Sequence, residues 1–256
     1  MSKLKLVLWS STVRMPSARV STISTIYSPG KDIGFQGQPA YPKIKDFRYL
    51  TLGLVTILLC CWMGLAQNIQ TREEKLALAQ KITGEGSELY EQGTLESIQK
   101  SKEKYEMALK LFREVGEKKG EAEALQGLGN VFGDLGEREK ALDSMNGALK
   151  IYQEINEKKG EALVLNNIGE VYDGLGEYQK ALEYYNQSLP IARQVGDEDG
   201  EAITLSNIGL VYISLGAKQK ALDALQQSLE IKRKIGNKGG QAVTLNNIGG
   251  VYYTFG

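Results

Sequence analysis

From residue 120 onward, apolar residues follow a pattern that returns every forty positions. In GEALVLNNIGEVYDGLGEYQKALE (160–183), Leu165, Ile168 and Tyr172 stand at i, i+3 and i+7, one face of a helix. Leu175-Gly176 closes it, because glycine takes the left-handed conformation that a helix C-terminus needs. Ala181, Leu182, Tyr185 and Leu189 mark the inner side of a second helix. The segment 200–223 matches 160–183 at 15 of 24 positions without a gap, and 120–143 and 240–256 fit the same frame. The second helices end at Gly116, Asn156, Gly196 and Gly236. Asparagine is the other residue that tolerates the left-handed region, so these positions require a backbone state rather than a mere loop. The pattern predicts an almost wholly helical chain over 67–256, built of helix-turn-helix units stacked on a continuous core.

These residues resemble the tetratricopeptide repeat (TPR). Leu165, Ile168-Gly169, Tyr172, Ala181 and Tyr185 occupy in order the large apolar, Leu-Gly-like, aromatic, alanine and second aromatic features of its pattern. The closing proline is replaced by Gln153, Arg193 and Arg233, and the period is forty rather than the usual thirty-four. The longer variety is similar to the arrays of LGN-type adaptors and kinesin light chains. It is also similar to cyanobacterial TPR proteins that precede a caspase-like CHAT domain. The resemblance implies an all-α, right-handed superhelical solenoid with the first helices lining its concave face, and Gly169 and Ala181 letting paired helices approach closely. Residues 67–115 then form an irregular N-terminal hairpin, and 116–256 about three and a half repeats. The last unit stops after its first helix, so the array is expected to be truncated. Leu245, Ile248 and Tyr252 are then expected to be partly exposed and able to drive self-association. Pro190 is expected to bend or interrupt its helix, since it deletes one backbone hydrogen bond.

A different pattern occupies the N-terminal third. Tyr49–Ala66 is 18 residues without a charge, preceded by Lys43, Lys45 and Arg48. That length is at the lower edge for a membrane-spanning helix. Gly64-Leu65-Ala66 also provides a small-x-small cleavage site before Gln67, as in an export signal. A cleaved signal, an uncleaved anchor and a buried core helix are the three readings. The first two place residues 1–48 in the cytoplasm and the repeats across or beyond the membrane; the third leaves them cytoplasmic. Residues 1–48 show no periodicity and read as disordered.

Composition narrows the chemistry. The 256 residues carry 31 basic and 31 acidic side chains, of which eight basic and two acidic fall in 1–48. The remaining body is therefore mildly acidic and unsuited to the nucleic-acid backbone. There is no histidine, which removes the usual general base and the commonest metal ligand. Cys60 and Cys61 are adjacent and fit neither zinc-ligand spacing nor a disulfide framework. No catalytic residue, metal or cofactor is expected.

The resemblance places Asn166, Asn167 and Glu170 on the groove side of their first helix. It places Ser206 and Asn207, then Asn246 and Asn247, in the following units, with Leu210 and Ile213 as apolar neighbours. In related grooves an asparagine at the position of Asn167 bonds a bound peptide's backbone, since an amide supplies both donor and acceptor. The alternative is plain helix surface. A carboxylate clamp for acidic C-termini needs lysines where Leu163, Ile203 and Val243 stand. The resemblance implies a non-catalytic scaffold for a protein or peptide partner. Its alternative is the sensor arm of a CHAT-type effector whose catalytic domain is absent from this chain, a Cys–His pair being impossible without histidine.

Overall fold

A computed structural model describes the backbone of residues 44–255 and the side chains of residues 54–255. The expectation of disorder over 1–48 lies outside the described residues, except that 44–48 already belong to a helix. Among the described residues there are nine helices and no strand: α1 (Ile44–Glu91), α2 (Leu95–Val115), α3 (Lys118–Asp134), α4 (Arg138–Glu154), α5 (Lys158–Gly174), α6 (Tyr178–Val195), α7 (Glu198–Ser214), α8 (Lys218–Lys234) and α9 (Lys238–Phe255). The chain divides into two compact units, residues 1–56 and 57–256.

Residues 57–256 form an all-α solenoid of stacked helical hairpins. From α2 to α9 consecutive helices pair along the chain; beyond that, α3 touches α5, α5 touches α7 and α7 touches α9. The even-numbered helices α2, α4, α6 and α8 do not touch one another. The odd-numbered helices are therefore the closely spaced inner layer, which is the concave face of such a stack. The core follows the repeat: Ala122, Met145, Tyr152, Val164 and Ile168 cluster in one unit, and Ala181, Tyr185, Ile208 and Val211 in the next. Ala79 and Ile82 of α1 pack against Ala108 and Phe112 of α2 and Ala124 of α3, which extends the stack toward the N-terminus.

Turn chemistry repeats with the same period. Gly116, Gly196 and Gly236 take φ near 70°, and Asn156 takes φ 55° in the equivalent place, as its side chain permits. At the other side of each turn, Glu117, Glu157, Asp197 and Asn237 accept from the backbone N–H groups of Gly120, Gly160, Gly200 and Gly240. Each satisfies one of the orphan donors that open a helix. Close helix approach is demanding at Gly169, where a Cβ would sit 2.5 Å from Cε1 of Tyr185. The Tyr185 side chain is fully buried, a contribution of about 1.5–3 kcal/mol for a group of this size.

Pro190 does not interrupt α6, which runs on to Val195. It lies on the exposed side of the helix, where water can serve the carbonyl that proline leaves unbonded. The α9 residues Leu245 and Tyr252 are about half exposed, while Ile248 is half-buried.

The apolar run lies within α1, which continues without a break into the part packed on α2. Leu54, Ile57, Leu58, Trp62, Met63 and Leu65 are all exposed, so within the chain this stretch is not a buried core helix. One helix, described from Leu54 to Glu91, is long and apolar enough to cross a membrane.

Candidate binding face

The inner layer is tied together by amide side chains. Asn167 on α5 donates from Nδ2 to Asn130 Oδ1 on α3 at 3.0 Å. Asn207 on α7 donates to Asn166 Oδ1 at 3.2 Å and to Glu170 Oε1 at 3.4 Å, both on α5. Residues 127, 167, 207 and 247 are in phase, as are 130, 170, 210 and 250, so the Asn167–Asn130 and Asn207–Glu170 bonds each link one phase to the other in the preceding unit. The third rung would join Asn247 to Leu210, which has no polar side-chain atom to offer, and the ladder stops there.

The structure places the eight sequence-derived candidates unequally. Asn166, Asn167 and Ser206 are 5%, 9% and 8% exposed. They are committed within the fold rather than free on a groove surface, because the close spacing of the inner layer brings their neighbours within bonding distance. Ser206 lies 2.8 Å from Ser228 Oγ and accepts from Lys232 at 2.9 Å. Asn207, Ile213 and Asn247 are half-buried, and Leu210 and Asn246 are exposed. These five form the accessible part of the candidate set.

Beside the ladder lies a cleft of about 470 Å³, lined by Tyr90, Asn130, Asp134, Arg138, Met145, Asn167 and Glu170 among others. Burial, and next a hydrogen bond to Asp134, push the Tyr90 phenol well above its ordinary range. Burial also raises the Glu170 carboxyl, against the pull of the Asn207 amide, and the charges of Asp173 and Asp134 add to the rise. Asp173 is raised by burial too. Arg138, which brings a basic side chain to this cleft, donates to the Gly174 carbonyl at 3.4 Å. The Tyr185 hydroxyl is buried without a hydrogen-bond partner among the described residues, within the field of Glu170 and Asp173.

Sequence reasoning misses Tyr90, Asn130 and Asp134, although the phase relation of Asn130 to Glu170 is available to it. It also misses Lys232. The in-phase residues are Phe112, Tyr152 and Ala192, yet Lys232 is 5% exposed and donates to Ser206 Oγ and Thr244 Oγ1, each at 2.9 Å. No such cation is legible at a position that otherwise reads as core. Among the described residues no group of histidine, cysteine or carboxylate side chains could hold a metal ion.

Tetratricopeptide-repeat family models match residues 122–155 and 160–234. No curated protein sequence matches the chain. Among solved structures it is similar to BtubC (BKLC) from P. vanneervenii, with 20% identity and a TM-score of 0.52 over 71% of this chain and 83% of that one. It is similar to a Rap protein complexed with Competence and Sporulation Factor, with 18% identity and a TM-score of 0.59 over 67% of this chain. It also resembles a signal transduction ATPase with numerous domains, bearing a tetratricopeptide repeat sensor, from Pyrococcus horikoshii, with 18% identity and a TM-score of 0.60 over 73% of this chain. The chain spans 47% of the Rap protein and 30% of the ATPase. Matched family models, phased helix ends and paired inner helices agree: the helical repeats over residues 122–155 and 160–234 are tetratricopeptide repeats, a fold that supports protein–protein interaction.

Proposed function

We propose that this chain binds a segment of a partner protein along the inner face formed by α3, α5, α7 and α9. The observation that carries this reading is the exposure of Leu210 beside the half-buried Asn207 and Asn247 on neighbouring first helices. Leu210 and Ile213 supply apolar area, and the amides retain donors and acceptors for an extended backbone. The likeness to a Rap protein solved with Competence and Sporulation Factor supports a bound segment on a scaffold of this shape. The repeats are held at a membrane or exported across one, a reading supported by the exposed apolar stretch of α1 and the basic residues before it.

The test is a partner isolated from the native cell envelope, with affinity measured beside thermal stability. Leu210→Asp weakens binding by about tenfold or more, as loss of a central apolar contact does, with little change in melting temperature. Unchanged affinity would move the site elsewhere. A reporter fused after residue 75 is active outside the cytoplasm, and activity only inside would overturn export.

A second reading, the sensor arm of a larger effector, draws on the likeness to the tetratricopeptide sensor of the Pyrococcus ATPase. A CHAT-type catalytic domain encoded after or beside this chain would favour it.

A further inference from the structure

The geometry points to a basic side chain, lysine or arginine, as the anchor of the bound segment, seated in the cleft that Tyr90, Asp134 and Glu170 line. This rests on the groove reading above and specifies the partner's chemistry.

Three observations meet at this place. The first is the cleft itself, whose volume of about 470 Å³ holds several times the space of one long side chain. The second is charge. Asp134 and Glu170 line the cleft and Asp173 adds to the same field. None of the three forms an ion pair among the described residues, whereas Glu85, Glu114, Glu121, Glu161 and Glu201 all do. Arg138, the cleft's own cation, is directed to a backbone carbonyl. The third is the Tyr185 hydroxyl, which does not line the cleft but is buried within the field of Glu170 and Asp173, with no partner among the described residues. Buried polar groups in folded proteins nearly always have partners. This orphan in the field of Glu170 and Asp173 shows that the fold alone does not satisfy every polar group near the cleft.

The physical logic is complementary. Burial holds the Glu170 and Asp173 carboxyls toward their neutral forms in the free protein. An ammonium or guanidinium entering the cleft favours the ionised forms and removes the mutual repulsion with Asp134. A guanidinium also has five N–H donors to offer the acceptors that line the cleft, Asp134, Glu170 and the side-chain oxygen of Asn130 among them. The amide rung from Asn207 holds Glu170 in place at 3.4 Å. Beside Asp134 and Glu170 an acidic segment meets like charge, with Arg138 directed to a backbone carbonyl, so the cleft selects as well as binds.

The experiment is display selection of random short peptides on the detergent-solubilised full chain. Selected peptides share an arginine or lysine at one position. Replacing that residue by alanine, or introducing Glu170→Gln or Asp134→Asn in the protein, weakens binding about tenfold or more. Affinity falls as ionic strength rises. Circular dichroism melting confirms that both variants fold, and in Glu170→Gln the new amide oxygen can still accept from Asn207. Peptides that Leu210→Asp releases, but that lack a basic preference and bind Glu170→Gln equally well, would overturn the basic anchor and leave the groove reading standing. Peptides whose binding ignores Leu210→Asp altogether would overturn the groove reading, and the anchor with it.

Discussion

Asn207 on α7 donates its amide to Asn166 on α5 at 3.2 Å, so one residue of the candidate groove is also a brace between repeats. Binding and stability are coupled at this face, and the in-phase asparagines are not equivalent. Asn167 is almost fully buried and bonded to Asn130, while Asn247 is only half-buried, opposite the apolar Leu210. Asn167→Ala leaves Asn130 without its donor and lowers stability by about 1–3 kcal/mol. Asn247→Ala lowers it by less than about 0.5 kcal/mol. Urea unfolding of both variants checks the difference, and equal effects would remove the brace.

Glycines on the helices divide by what faces them. A Cβ at Gly169 meets the Tyr185 ring at 2.5 Å, whereas one at Gly84 meets nothing within 4 Å. Gly169→Ala therefore destabilises by about 1–3 kcal/mol through overpacking. Gly84→Ala stabilises by about 0.5–1 kcal/mol, the usual gain inside a helix with room for the methyl group. Thermal melting of the two single variants reads opposite signs.

Asn156 tests the turn. Its φ of 55° is where the other repeats place glycine. Asn156→Gly leaves stability within about 0.5 kcal/mol of the parent, whereas Gly196→Ala costs about 1–2 kcal/mol from the left-handed strain on a Cβ. Denaturant midpoints decide this.

Lys232 gives a pH dependence. Burial lowers its pKa below the ordinary 10.5, opposed by the more distant charge of Asp199. Its nearest polar neighbours are the hydroxyls of Ser206 on α7 and Thr244 on α9. Between the folded and unfolded pKa values the unfolded chain binds the proton and the folded chain does not, so this residue's contribution to stability rises with pH toward 10.5. Below the folded pKa the buried ammonium carries its full cost. Lys232→Met, similar in volume and uncharged, is neutral or stabilising at pH 7, and it removes that alkaline rise. Denaturant midpoints followed from about pH 7 to about pH 10.5 measure it for the two proteins.

The repeat frame, the helix pairs and the left-handed turn residues are legible in the sequence because each rests on local rules: a period near 3.6, and glycine or asparagine where φ is positive. The close approach at Gly169 is legible through the resemblance to the repeat family, which implies a small residue there. The condition of the groove is not. Whether Asn167 is open or bonded depends on how closely α3 lies to α5, a tertiary spacing that no local pattern carries. Lys232 is hidden because charge at an inner position is tolerated only with hydroxyls brought from two other helices. Pro190 misleads because the cost of a lost hydrogen bond depends on whether water reaches the carbonyl, and that is a matter of exposure.

A partner seated in the groove touches the inner face of the solenoid and not the outer one. A photo-crosslinking amino acid at Leu210 on α7, compared with one at the exposed Gln226 on α8, reads this directly in the full-length protein in its native cells. Crosslinks from position 210 to one discrete partner, lost when the partner's binding segment is added in excess, with none from position 226, are the predicted result. The same partner captured from position 226, with position 210 silent, would contradict the inner-face reading.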